Sequence, residues 1–136
     1  MNEIDAILAD IRKKVFNPIY VLMGDEPYYI DLITTEIKKH ALKEEERGFN
    51  EMVFYARDTN VDEVVSSAKR FPMMAERQLI IVKEAQDWSR TIDGLSVYAA
   101  NPQPSTVLVI NYKYKTLDKR KAFYKAVSKS GAVIES

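Results

Sequence analysis

Three observations in this sequence predict an α/β fold of three layers built on a mainly parallel five-stranded sheet. Short runs that are wholly apolar occur at residues 20–23, 79–82 and 107–110, the pattern of strands buried on both faces. Stretches of helical periodicity separate these runs, so strands and helices alternate along the chain. Proline, glycine and asparagine punctuate the boundaries between them.

The elements follow in order. Ile4, Leu8, Ile11 and Val15 recur at helical spacing with Ile7 beside them, which predicts a first helix. Asn17-Pro18 ends it, because the residue before a proline avoids the α region. Residues 19–23 are the first strand, and Gly24-Asp25-Glu26-Pro27 is the turn after it. Pro27 suits a first helical position, and Asp25 or Glu26 can cap that helix. The helix extends over residues 27–46, with Ile30, Ile33, Ile37 and Ala41 on one face and Gly48 at its C-terminal end. Residues 49–55 are the second strand, 60–70 a helix and 78–82 the third strand. A short helix starts at Thr91 or Asp93 and runs to Ala100, where Asn101-Pro102-Gln103-Pro104 breaks it. Residues 106–110 form the fourth strand. A helix over 117–129 buries Phe123, Ala126 and Val127, and the fifth strand is 132–134. The three apolar strands belong at the centre of the sheet.

Composition narrows the function classes. A length of 136 residues suits one domain with a real core, and no internal linker or repeat divides it. The apolar fraction of 46% excludes a disordered chain. A formal net charge of zero argues against a dedicated nucleic-acid binder, while leaving local patches open. The absence of cysteine excludes a disulfide framework, thiolate chemistry and a zinc-thiolate site, and fits a reducing cytosol. The acidic N-terminus is no signal peptide, and no apolar run approaches a membrane span. The chain stops as its last strand ends, as a chain cut at a domain boundary would.

A strand, a glycine and then a helix invite comparison with the phosphate loop G-x-x-x-x-G-K-[ST]. From Gly24 the chain reads Gly24-Asp25-Glu26-Pro27-Tyr28-Tyr29-Ile30-Asp31. Only the first glycine fits. Tyr29 stands for the second glycine, Ile30 for the lysine and Asp31 for the hydroxyl residue. Pro27 lacks a backbone N–H, and Asp25 and Glu26 place negative charge where an anion would sit. After residues 79–82, Lys83 precedes Glu84 where an ATPase carries its metal-binding acid. Two missing elements argue against ATP hydrolysis, and no dinucleotide fingerprint is present.

Other chemistry is sparse. His40 stands alone in a charged helix and reads as a solvated surface residue, with no second histidine for a metal cluster. Asp62 and Glu63 are adjacent and so point to different sides of a helix. Residues 44–47, Glu-Glu-Glu-Arg, read as a solvated helix end, and Trp88 as partly buried under the following helix. Lys113, Lys115, Lys119, Arg120, Lys121, Lys125 and Lys129 face only Asp118 within residues 112–130, with Tyr112 and Tyr114 interleaved. This stretch is either a phosphate-facing patch or a solvated helix face.

The connection before the third strand, Arg70-Phe71-Pro72-Met73-Met74-Ala75-Glu76-Arg77, is unusual. Connections in α/β domains are mostly polar, because they run over the surface. Phe71, Met73 and Met74 therefore either fold back onto the core or face another protein, since soft and aromatic side chains are favoured as anchors at partner surfaces.

Taken together, residues 18–28, residues 70–83, and Leu117-Asp118-Lys119-Arg120-Lys121 followed by Gly131-Ala132-Val133 resemble the N-terminal domain of the delta subunit of the bacterial DNA polymerase III clamp loader. The resemblance spans nearly the whole chain. It implies an AAA+-like (P-loop NTPase-like) fold without a working ATP site, and hence no cofactor and no bound metal. It also implies a cytoplasmic replication protein that binds the ring-shaped beta sliding clamp and opens one interface without hydrolysing ATP itself. By position, the clamp-binding residues are Phe71, Met73 and Met74, although many relatives carry Phe or Leu where Met73 and Met74 stand. Family members add a helical lid and a collar that joins the other loader subunits; both are absent here, so the chain is expected to be a fragment. Two rivals are a nucleotide-dependent phosphotransferase with an atypical loop and a DNA-binding module using residues 113–129.

Overall fold

The computed structural model describes residues 2–136. The helices are α1 (Glu3–Arg12), α2 (Pro27–Ala41), α3 (Arg47–Asn50), α4 (Val61–Ala68), α5 (Ser96–Ala100) and α6 (Ala122–Ser130). The strands are β1 (Ile19–Gly24), β2 (Glu51–Tyr55), β3 (Gln78–Lys83), β4 (Thr106–Lys113) and β5 (Ala132–Glu135). They form one sheet in the order β2-β3-β4-β1-β5, with every neighbouring pair parallel. The expected central strands β1, β3 and β4 are indeed inside it. Their apolar runs follow from burial on both faces.

The period-two alternation of the strands sorts the core into two clusters. Tyr20, Leu22, Leu79, Ile81, Val107 and Val109 face α1 and α2. Val21, Met23, Ile80, Val82, Leu108 and Ile110 face α4, α5 and α6. The result is the predicted three-layer sandwich.

Several boundaries differ from the sequence expectation. Helix α1 stops at Arg12 because Lys14 turns left-handed (φ 63°), with Lys14 N–H donating to Ile11 O and Val15 N–H to Asp10 O. This is a Schellman closure with lysine in the usual glycine position, and it leaves Val15 exposed rather than in the core. Helix α2 ends at Ala41, where Leu42 turns extended and buries its side chain. The chain then forms a 3-10 turn (Glu44–Glu46) and α3, so Gly48 lies within a helix rather than closing one. Phe49 is helical and exposed, and β2 starts only at Glu51.

Helix α6 begins at Ala122, five residues later than expected. Leu117 is buried with its N–H against Met23 Sδ, and Asp93 Oδ1, from a separate segment, accepts the Phe123 N–H at 2.8 Å. Trp88 is more deeply buried than expected, its Nε1–H donating to Ala56 O at 2.8 Å.

His40 is half-buried rather than freely solvated, with Nε2 3.3 Å from Glu36 Oε2. Arg12 reaches the other Glu36 oxygen at 3.0 Å, bracing α1 against α2. The Arg12 hydrogen bond holds the Glu36 carboxyl below its ordinary value of 4.5. A depressed folded-state pKa means the carboxylate stabilises the fold above the unfolded value, and the contribution disappears as pH falls through the folded one. Glu36→Gln is therefore expected to lower Tm near neutral pH. The gap to the parent chain should close on acidification below pH 4.5, as read in a thermal melt series.

Candidate partner-binding site

Two ends of the sheet carry the candidate residues. In a parallel sheet all strands start at one edge, and the connection over residues 69–77 delivers the chain from α4 to the head of β3, at the amino edge. There Phe71 is 78% exposed, Met73 60% and Met74 fully exposed. Of the two readings left open by the sequence, burial against the core is excluded: all three side chains point to solvent.

The backbone beneath them is firmly held. Gln78 is buried at the head of β3, with Nε2 at 2.8 Å from Arg70 O, 3.0 Å from Ser67 O and 2.9 Å from Thr106 Oγ1. Thr106, fully buried at the head of β4, donates its hydroxyl to Ala68 O at 2.7 Å. These bonds tie the end of α4, whose Ser67 carbonyl also accepts the Arg70 N–H, and the residue after its cap to the heads of β3 and β4. Further along, Asn50 accepts the Met73 N–H and donates to the Met73 carbonyl. Met74 sits at φ 56°, a left-handed conformation rarely held by a side chain of this size. Phe49, the residue before Asn50, is 77% exposed at this same edge.

None of the supporting residues was singled out from the sequence. Gln78 did carry a signal, since a polar residue heading an apolar strand must find partners when buried. Asn50 and Phe49 carried none, because the sequence placed both inside a strand.

The opposite, carboxyl edge holds the loop that resembles a degenerate phosphate site. Gly24 has φ 118°, and a Cβ there would lie 2.4 Å from Ser136 O. Its N–H donates to Lys115 O, and the Glu26 N–H donates to Ser136 Oγ at 3.3 Å. The chain's own groups thus occupy donors that a phosphate loop aims at its anion. Asp25 and Glu26 are exposed, and Pro27 takes the first position of α2.

The basic stretch divides. Lys113 is not free to face DNA: it is largely buried, with Nζ 3.1 Å from Asp31 and 3.7 Å from Glu84. Arg120 is held by Asp118, whose carboxyl drops to about 2 through that guanidinium and the Arg120 N–H. Lys115, Lys119, Lys121 and Lys125 remain exposed and form no ion pair among the described residues. They are split between the loop before α6 and α6 itself, so they do not form one helix face. Six residues of β3 separate the two edges by about 20 Å. Among the described residues, no cluster of histidine and acidic side chains could hold a metal ion, and no helix is long and apolar enough to cross a membrane.

The family model described as DNA polymerase III, delta subunit, matches residues 20–136. The chain belongs to the DNA polymerase III delta-subunit family. It is 30% identical over 139 residues to DNA polymerase III subunit delta of Bacillus subtilis (strain 168), covering 96% of this chain and 40% of that protein. The solved Bacillus subtilis DNA clamp loader delta protein (YqeN) superposes with a TM-score of 0.87 at 28% identity, covering 98% of this delta-family chain and 42% of that one. A DNA polymerase III gamma subunit-related protein from Thermotoga maritima shares the fold, with a TM-score of 0.64 at 12% identity over 99% of this chain and 46% of its own. The chain thus spans less than half the length of these relatives.

The amino-edge network makes a direct prediction for this delta-family chain. Gln78→Leu removes donors from the Ser67 and Arg70 carbonyls, which should cost about 1–3 kcal/mol of stability. The denaturant midpoint should fall with unchanged slope. An unmoved midpoint would show that those carbonyls find other donors.

Proposed function

We propose that this chain binds the beta sliding clamp through Phe71, Met73 and Met74, and acts within the clamp loader by springing one interface of the ring open. One observation carries the reading. Three large apolar side chains stand in solvent on a hydrogen-bonded loop at one edge of a rigid sheet. Exposed soft and aromatic side chains on a preset backbone are what an apolar pocket on a partner selects. Family membership supports the loader context, and the degenerate Gly24 loop supports a subunit that hydrolyses no ATP. The other loader subunits are its remaining partners, through segments outside this chain, and its compartment is the cytoplasm. Lys115, Lys119, Lys121 and Lys125 leave room for an indirect DNA contact at the far edge.

Calorimetry against the clamp of the same organism tests the reading. Phe71→Ala/Met73→Ala/Met74→Ala should lower affinity on the order of a hundredfold or more. Tm should barely move, since surface substitutions change stability little. Undiminished binding by this variant would remove the anchor assignment.

The phosphotransferase alternative predicts the opposite at the carboxyl edge. Millimolar ATP with magnesium is expected to leave Tm unchanged; a rise that grows with ATP concentration would reinstate it.

A further inference from the structure

We infer that Asn50 is the positioning residue of the anchor: its side-chain amide presets the backbone of Met73, so that Phe71, Met73 and Met74 meet the partner already ordered. The inference rests on the binding reading above and adds a residue from a different segment of the chain.

Asn50 is the last residue of α3 and only 2% exposed. Its Nδ2 donates to Glu46 O and to Met73 O, both at 2.9 Å, and its Oδ1 accepts the Met73 N–H at 2.7 Å. Both amide N–H groups and the oxygen are therefore engaged, two of the three bonds across a sequence gap of 23 residues. The latch also stands on fixed ground. Arg47 in the same helix donates to Lys38 O of α2 at 3.1 Å, and the next residue, Glu51, is in register with Leu79 of β3. Met73 is thereby gripped from one side by Asn50, while Gln78 holds Arg70 on the other. The left-handed Met74 follows directly after the gripped residue.

An exposed loop of large side chains would otherwise sample many conformations, and ordering it at the interface would be charged against affinity. A latch that orders the loop beforehand removes that cost without touching the partner. A purely structural asparagine, satisfying stray backbone groups, would change stability alone.

The test compares Asn50→Ala with the parent chain in two measurements, both well below either Tm. In clamp binding by calorimetry, affinity should fall about tenfold, the size of ordering a few side chains. The loss should be entropic, with the heat-capacity change of binding preserved, because the same apolar surface is buried. In the absence of clamp, trypsin should cut the Arg70–Phe71 bond faster in the variant. Parental affinity together with parental cleavage at that bond would overturn the inference. If Asn50→Ala does not fold, Asn50→Asp serves instead: it keeps the acceptor for the Met73 N–H and loses both donated bonds. Failure of the binding reading is distinguishable, because then Phe71→Ala/Met73→Ala/Met74→Ala binds like the parent, while the cleavage comparison still decides whether Asn50 orders the loop.

Discussion

The buried Gln78–Thr106 pair at the head of the sheet is the constraint on which the rest of the amino edge depends. A helix end leaves carbonyls unpaired, and here the end of α4 abuts the interior, where water cannot serve them. Gln78 and Thr106 supply the donors from the first residues of two central strands. Their cost as buried polar groups is offset only because each finds partners. The loop that follows is therefore tied at its root before any partner arrives, and Asn50 ties it again at Met73.

The two edges of the sheet have diverged in character. The amino edge presents apolar side chains on a held backbone. At the carboxyl edge, where ligands of open α/β sheets usually bind, the loop at Gly24 is filled by the chain itself. Ser136 fills the space beside Gly24 that a phosphate loop keeps open, and Lys113 lies between Asp31 and Glu84. The lysine is a tethered cation among carboxylates at the ends of β3 and α2. Exposed apolar side chains at one edge and a self-filled Gly24 loop at the other are the two features on which the proposed clamp-binding role rests.

The fold class, the strand order's centre and the failed phosphate motif were legible from residues alone. Burial on both faces forces an apolar run, and a phosphate cradle demands particular residue types at fixed spacing. Phe71, Met73 and Met74 were legible as unusual, since three large apolar side chains crowd around Pro72. Their direction was not: composition allows burial or exposure equally, and only packing shows that the core is complete without them. The start of α6 was misplaced because its cap, Asp93, comes from another segment. The end of α1 was misplaced because lysine, not glycine, takes the left-handed position.

By itself, then, the sequence determined which segments are central strands, that residues 24–31 depart from the phosphate-loop motif, and which side chains are candidates to meet a partner. Periodicity, glycine and proline positions and motif spacing are local properties, and local properties survive in a one-dimensional string. The tertiary structure alone decided that the candidates face solvent, that Lys113 and Arg120 are engaged by carboxylates, and that Asn50 grips Met73. Each of these joins residues through contacts that no spacing rule encodes, because side-chain hydrogen bonds and ion pairs depend on which surfaces the packed sheet brings together.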